Sequence, residues 1–178
     1  MLAYAARPAS AYPRGMPIRF RKLEPRDRAA VGELFTEFQA GFVAMDPLAR
    51  TRAEPGYGES ALAEAERLVG SSSGLFAVAE DEDGIQGFVV VTVHRTTRLQ
   101  ELEGPSETWG RVDELYVRSP ARGRGVGREL MEHAERFLRD AGCTSIRVSV
   151  FAPNVVAHGF YRGLGFTDRD IDLIKLVD

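Results

Sequence analysis

The chain has 178 residues, of which 44% are apolar and 28% charged, a composition typical of one globular domain with a sizeable core. A net charge of −3 gives no support to nucleic acid as the main partner, and a single cysteine, Cys143, excludes an internal disulfide framework. With only three histidines beside that cysteine, neither a structural zinc site nor another metal site is expected.

The N-terminal segment, residues 1–16, is expected to be a poorly ordered extension ahead of one domain at 17–178. It lacks the continuous apolar core of a secretory signal, and no run in the sequence is long and apolar enough to span a membrane. We therefore expect a cytoplasmic protein without a membrane partner. Met16 stands directly before the first predicted strand and is a second candidate for the start of the protein.

Hydrophobic periodicity and turn residues divide the rest of the chain into helices and strands. Glycine and proline mark the loops, which are expected at 41–58 and 96–108. The predicted elements are, in order, a strand at 17–23, a helix from Pro25 to about Gln39, a helix at 59–69, strands at 75–80, 85–95 and 109–117, a helix at 126–141, a strand at 144–151, a helix at 154–164, and strand material at 166–177, chiefly 171–177.

The order of these elements predicts the topology of the sheet. The dipeptide Asp83-Gly84 favours a hairpin, and the nearly continuous apolar run that follows it indicates a strand buried on both faces. The strands that flank the helix at 126–141 should be parallel neighbours joined by a right-handed crossover. We predict an α/β (α+β) fold with a mixed, strongly twisted sheet and helices on both faces.

A glycine-rich turn joins the strand that ends at Val117 to the helix at 126–141. It reads Arg122-Gly-Arg-Gly-Val-Gly127, and a strand, a glycine turn and a helix N-terminus together form an anion site of exposed backbone N–H groups. The spacing matches neither a P-loop nor the dinucleotide fingerprint, because the third position of G-x-G-x-x-G is Arg128. This spacing argues against an unrelated nucleotide-binding regulatory domain.

Two motifs resemble those of the GNAT superfamily of N-acetyltransferases. Leu115-Tyr-Val117, Pro120 and then Arg122, Gly125 and Gly127 fill that family's acyl-CoA pattern, [QR]-x-x-G-x-[GA]. Downstream, Asn154, Ala157, Phe160-Tyr161 and Leu164-Gly165-Phe166 resemble its last-helix motif. Both motifs stand in the family's order, and the element order fits over roughly residues 17–177. The fold implied is therefore GNAT-like.

The resemblance implies acetyl-CoA as the cofactor that donates the acetyl group. In that family the pyrophosphate lies on the backbone of the glycine turn, and the pantetheine arm pairs with the strand that ends at Val117, where this strand splays from the next one. Asn154 is expected to bond the cofactor arm or the adjacent backbone. The residues implied to bind acetyl-CoA are Leu115, Tyr116, Val117, Arg122, Gly123, Arg124, Gly125, Val126, Gly127, Arg128, Asn154 and Tyr161.

The reaction requires a base for the protonated amine and an acid for the leaving thiolate. The resemblance implies Tyr161 as the acid. Asp113 and Glu114 are the candidate bases, acting directly or through a water, and strand alternation predicts that they lie on opposite faces, so that only one faces the acceptor. We favour Glu114 slightly over Asp113. An N–H near Leu115 or Tyr116 is expected to polarise the thioester carbonyl.

The acceptor is expected to be a primary amine of a small molecule or peptide, bound by residues of about 38–66, the loop at 96–108 and the segment after Phe166. The sequence around Glu114 and Tyr161 also resembles polyamine and small-amine acetyltransferases, which is a hint toward a cationic amine. A homodimer is common in the family. The alternative function is a GNAT-fold sensor or regulatory protein that binds CoA without turnover.

Overall fold

The computed structural model describes residues 18–176, so the predicted extension at 1–16 and the candidate start at Met16 lie outside the described residues. Five strands and five helices follow one another, and all except the short helix at 98–103 stand in the order that the periodicity predicts as far as residue 162. They are β1 (Arg19–Lys22), α1 (Arg28–Met45), α2 (Tyr57–Ser72), β2 (Leu75–Asp81), β3 (Gly84–Arg95), α3 (Arg98–Glu103), β4 (Thr108–Val117), α4 (Val126–Asp140), β5 (Ser145–Val148) and α5 (Val155–Arg162).

The five strands form one mixed sheet in the order β1-β2-β3-β4-β5. The first three pairings are antiparallel, and β4 and β5 are parallel neighbours on either side of α4, as predicted. Helices cover both faces, which confirms the predicted fold class. Within residues 18–176, no helix combines the length and the apolar character that crossing a bilayer requires.

The sheet separates two apolar cores because successive side chains of a strand point to opposite faces. On β3, Val89 and Val91 pack toward α4, while Phe88 and Val90 pack toward α1 and α2. All four side chains have no exposed surface, which confirms that β3 is buried on both faces. The face covered by α1 and α2 is the one that carries the cavity described below.

The packing of α2 on α1 depends on a close contact between two glycines. A Cβ atom on Gly58 would lie 2.0 Å from the carbonyl oxygen of Gly32 and 2.4 Å from Oγ1 of Thr36. Only a residue without a side chain allows the first turn of α2 to approach the backbone of α1 this closely. The contact therefore fixes where α2 lies over β3 and β4.

Three predictions for the helices and the loop at 96–108 are wrong, the first of them because a contact distant in sequence overrides a local signal. α1 continues through Gly41 to Met45, since the ring of Phe42 packs on Phe38 at 4.8 Å and on Phe151 at 5.7 Å. α2 runs over residues 57–72 and so takes in part of the glycine–serine run. The predicted loop at 96–108 contains α3, whose capping box joins Thr97 and Gln100.

The C-terminal part of the chain also differs from the prediction. β5 ends at Val148 rather than at residue 151, and residues 167–176 form neither helix nor strand. Ile171 and Leu173 are 85% and 86% exposed, so the alternating apolar pattern finds no partner within the described part of the chain. A strand requires a neighbour for its N–H and C=O groups, and alternation alone does not supply one.

Replacing Gly58 with Ala should lower the free energy of unfolding by about 1–3 kcal/mol, because α2 must move away from Gly32. Gly70 is the matched control, since it lies in the same helix with no atom within 4 Å of an added Cβ. Gly70→Ala should be neutral or stabilising by up to ~1 kcal/mol, as expected for glycine in a helix. Urea unfolding measures both, and equal effects of the two substitutions would contradict the account.

Candidate functional site

The site is built on a β-bulge in β4. In the ladder between β3 and β4, Val90 lies opposite Glu114 and Val91 lies opposite Val112, so Asp113 has no partner. One extra residue shifts the alternation of every side chain beyond it. Val112 packs in the core under α4, and a regular strand would direct Glu114 into that same apolar core. The bulge directs Glu114 to the opposite face, toward α2.

The prediction that Asp113 and Glu114 lie on opposite faces is therefore wrong. Both carboxylates line one cavity of about 310 Å³ between α2 and the strands β3 and β4. Glu64, which pairs with Arg67 at 2.6 Å, also lines it, hydroxyls lie at Tyr57 and Ser60, and the other walls are apolar. The lining residues are Tyr57, Ser60, Ala61, Glu64, Ala65, Leu68, Val90, Asp113 and Glu114.

The carboxyl of Glu114 is half-buried, and it accepts no hydrogen bond and forms no ion pair with any residue in the described range 18–176. Burial first, and the charge of Asp113 second, raise the pKa of the Glu114 carboxyl from its ordinary value to about 7, while Arg111 opposes the shift. A carboxyl with this pKa exchanges a proton readily at neutral pH. This is the property that general base catalysis requires.

Asp113 has partners where Glu114 has none. Its Oδ2 accepts a hydrogen bond of 2.6 Å from Oγ1 of Thr92, and its Oδ1 lies 3.3 Å from Nε of Arg111. Thr92 is 1% exposed and lies on β3, directly opposite Arg111. The two carboxylates are adjacent in sequence, but Asp113 is held by Thr92 and Arg111, whereas the carboxyl of Glu114 is free to interact with a ligand.

Tyr161 is placed by α5, which begins at Asn154. The Asn154 side chain caps this helix, with its Oδ1 accepting from the N–H of Ala157 at 3.0 Å. Tyr161 is 7% exposed, and its ring packs edge to face on Phe160 and Phe166. Burial raises the pKa of the Tyr161 hydroxyl, and so does the negative charge of Glu114. The hydroxyl therefore keeps its proton at neutral pH.

The charge of Glu114 also contributes to a raised pKa of Tyr57, after burial. Tyr57 begins α2 on one face of the sheet, and Tyr161 belongs to the core on the other face. Glu114 thus lies within electrostatic reach of a tyrosine on each side of the sheet. Neither Tyr57 nor Thr92 was predicted as a site residue. A threonine within the apolar run of β3 is the one signal that the sequence offers for Thr92, because a buried hydroxyl requires a partner.

β4 and β5 separate beyond the bulge. Their parallel pairing runs from Trp109 with Ser145 to Val112 with Val148, and residues 113–117 have no partner on β5. The N–H of Arg118 donates to Gln86 O on β3 at 2.8 Å. Because every second residue of a strand directs its backbone N–H and C=O to the same side, Tyr116 and Glu114 also direct theirs toward β3. It follows that the backbone groups of the remaining two residues, Leu115 and Val117, face the gap between β4 and β5.

This alternation separates the three consecutive residues that the sequence suggested for the cofactor arm. Leu115 and Val117 present backbone groups to the gap, whereas the backbone of Tyr116 pairs with β3. The side chain of Tyr116 is buried under α1, where its hydroxyl donates to Oε2 of Glu37 at 3.1 Å. Of the two N–H groups considered for polarising a carbonyl, only that of Leu115 faces the gap.

The glycine-rich turn presents a row of backbone donors. Gly123 and Gly125 have φ angles of 75° and 88°, a conformation that side-chain-bearing residues rarely adopt. Gly125 is the N-cap of α4. Within the described range 18–176, the N–H groups of residues 123–128 donate to no acceptor. Unpaired N–H donors at a helix N-terminus are the chemical groups that phosphate binding requires.

The arginines of the turn have different roles. Arg122 Nε donates to the carbonyl of Val117 at 2.8 Å, and its guanidinium lies 5.5 Å from the ring centre of Tyr116. Arg124 contacts Asp81 at 3.4 Å. Arg128 is exposed on the first turn of α4. Two of the three side chains thus brace the turn against β4 and β2.

The chain is similar to known proteins in sequence and in fold. Residues 37–166 match the family described as the acetyltransferase (GNAT) family. A mycothiol acetyltransferase from Renibacterium salmoninarum is 27% identical over 122 residues, which cover 66% of this chain and 34% of that protein. An aminoglycoside N(6')-acetyltransferase type 1 from Stenotrophomonas maltophilia is 33% identical over 61 residues, which cover 34% of this chain and 40% of that protein.

The chain therefore spans well under half the length of both curated relatives. Among solved structures, glucosamine-6-phosphate N-acetyltransferase from Arabidopsis thaliana is similar with a TM-score of 0.64. The two are 19% identical, and the alignment covers 91% of this chain and 99% of that one. At this identity the similarity concerns the fold.

The raised pKa of Glu114 predicts a pH-dependent contribution to stability. A carboxyl whose pKa is higher in the folded state binds its proton more tightly there, so its contribution is fully present at low pH and is lost as pH rises through about 7. Glu114→Gln removes this contribution. Between pH 5 and pH 8 the wild type should therefore lose on the order of 2 kcal/mol relative to Glu114→Gln.

Thermal unfolding of both proteins across this pH range measures the difference. Glu66→Gln is a control on the exposed side of α2, where Glu66 pairs with Arg28. A stability difference between wild type and Glu114→Gln that stays constant with pH would contradict the assignment.

Proposed function

The chain belongs to the acetyltransferase (GNAT) family, and we propose that it transfers an acetyl group from acetyl-CoA to a primary amine of a small molecule or peptide by direct attack of the amine. One observation carries the proposal: Glu114 is an unpartnered carboxyl with a pKa of about 7, and it lines a cavity beside the point where β4 and β5 separate. A base is thereby adjacent to an acceptor pocket and to a gap that suits an extended donor.

Acetyl-CoA, the proposed acetyl donor, suits the residues of the gap and of the glycine-rich turn. The unpaired N–H groups of residues 123–128 would hold its pyrophosphate, with Arg128 as an added cation. The backbone groups of Leu115 and Val117 would pair with its pantetheine amides. When bound, acetyl-CoA supplies an acetyl thioester, an electrophilic carbonyl that an amine can attack.

The proposed roles of the protein groups follow from their protonation. Glu114 is the base, because it is partly ionised at neutral pH and accepts a proton from the acceptor ammonium. The N–H of Leu115 faces the gap and is the donor that would stabilise developing negative charge on a carbonyl oxygen. Tyr161, held protonated by burial, is the acid for the leaving thiolate. Asn154 acts through the helix that it caps.

Two features support a cationic amine of modest size as the acceptor. The cavity of about 310 Å³ has the lower size typical of small-molecule sites. Asp113 and Glu114 give the side of the cavity that β4 forms a negative potential, while Ala61, Ala65 and Leu68 provide apolar walls. One relative is by name an aminoglycoside acetyltransferase, and aminoglycosides are amines with several cationic groups.

The protein is proposed to act in the cytoplasm, and a homodimer is proposed on family grounds.

The function is tested by release of free thiol from acetyl-CoA in the presence of a panel of amines, detected with a chromogenic thiol reagent. We expect release that depends on the acceptor and rises for small cationic amines. The panel should include polyamines, aminoglycosides, amino acids and peptides with a free N-terminus. Tight CoA binding by thermal shift with no thiol release for any amine would favour the alternative, a CoA-binding sensor without turnover.

Substitutions at the two proposed catalytic residues should reduce the rate with the acceptor that the panel identifies. Glu114→Gln and Tyr161→Phe should each lower kcat by roughly 100-fold, the range for loss of a general base or acid. The kcat/KM of the wild type should rise with pH through about 7 as Glu114 loses its proton, and Glu114→Gln should lack this limb. Unchanged turnover in Tyr161→Phe would refute the role of its hydroxyl, and Glu66→Gln serves as the control.

A further inference from the structure

Thr92 is a polar residue at a position where β3 is otherwise apolar. Val90 and Val91 precede it, and all three side chains are at most 1% exposed. A buried hydroxyl costs free energy unless it forms hydrogen bonds, and Thr92 forms two. Its Oγ1 lies 2.6 Å from Oδ2 of Asp113 and 2.8 Å from Nε2 of His94.

The direction of these two bonds follows from proton counting. A hydroxyl has one proton to donate, and the ionised carboxylate of Asp113 has none. The Thr92 proton must therefore point to Asp113, and the His94 contact is a bond from Nε2–H to the oxygen of Thr92. Neutral His94 is thus the Nε2–H tautomer, and a protonated ring would keep the same donor. The result is a one-way chain of donors from His94 through Thr92 to Asp113.

Each member of this chain is fixed by its own surroundings. The His94 ring stacks on Trp109 with ring centres 4.4 Å apart and an angle of 18° between the planes. Thr92 is held in the ladder opposite Arg111, which in turn lies 3.3 Å from Asp113. Asp113 is the unpaired residue of the bulge, so the ladder itself does not fix its orientation. Thr92 and Arg111 supply the contacts that do.

We propose that Thr92, oriented by His94, is a positioning residue of the active site: its hydroxyl holds Asp113 in the bulge of β4 and thereby keeps Glu114 directed at the acceptor cavity. This inference rests on the proposed function, in which Glu114 is the base. Asp113 is then a positioning residue too, and it is not a second base. Asp113 immediately precedes Glu114 in the bulge, so a change in the backbone angles of Asp113 changes the direction of the Glu114 side chain.

The kinetic test is a double-mutant cycle between Thr92 and Asp113. Thr92→Val removes the hydroxyl and keeps the shape, and it should lower kcat roughly tenfold, since misplacing a reacting group has effects of this size or larger. Thr92→Ser retains the hydroxyl and should stay within about twofold of wild type. In an Asp113→Ala background, Thr92→Val should change kcat by less than about twofold.

Two further variants complete the design. His94→Phe keeps a ring on Trp109 but removes the Nε2–H donor, so it should give a smaller loss of kcat that also disappears in the Asp113→Ala background. Ser71→Ala is the control, because Ser71 is exposed near the end of α2 and its hydroxyl donates only to the carbonyl of Leu68, at 3.1 Å. Its kcat should equal that of wild type. Equal losses for Thr92→Val in both backgrounds, or a Thr92→Ser as impaired as Thr92→Val, would overturn the proposal.

Hydrogen exchange tests the same proposal without any acceptor. Amides of residues 111–117 should exchange faster in Thr92→Val than in wild type, and should be unchanged in Thr92→Ser and Ser71→Ala. Unchanged exchange in Thr92→Val would overturn the proposal. Since this measurement needs no turnover, it separates failure of the positioning role from failure of the proposed function, which the amine panel detects independently.

Discussion

A single unpaired residue in the β3–β4 ladder determines the arrangement of the site. Without the bulge at Asp113, regular alternation would bury Glu114 against α4, in the same core as Val112. A carboxylate there would lie among aliphatic side chains at a large cost in free energy. With the bulge, Glu114 and Asp113 both face the cavity under α2, and Leu115 and Val117 direct their backbone groups toward the gap beside β5.

The two sides of the sheet then have separate roles in the proposed reaction. The α2 side offers a cavity with carboxylates, and the α4 side offers unpaired backbone donors at the glycine turn. Glu114 and Tyr161 come from different elements on opposite sides of the sheet, yet the charge of Glu114 raises the pKa of Tyr161. The close contact of Gly58 with Gly32 matters here too, since it sets the height of α2 above the carboxylates.

Much of this arrangement could be predicted from local sequence. The hairpin at Asp83-Gly84, the crossover through α4 and the cap at Asn154 depend on residues that are near one another in the chain. The bulge could not be predicted, because it is a property of two strands in register, and it reverses the inference from alternation for Asp113 and Glu114. The end of α1 depends on Phe42 meeting Phe151, a contact between residues far apart in sequence. The predicted strand at 171–177 failed for a related reason: through residue 176 it finds no neighbour, and Val177 lies outside the described residues.

Glu114 is an unpartnered carboxyl whose pKa is raised to about 7 by burial first and by the charge of Asp113 second. Its side-chain carboxyl carbon can be followed by NMR across a pH titration and assigned by its absence from Glu114→Gln. We expect an apparent pKa of about 7 for this carboxyl in the wild type and a lower pKa in Asp113→Asn, where a neighbouring negative charge is removed. A wild-type pKa close to the ordinary glutamate value of about 4.3, unchanged by Asp113→Asn, would contradict it.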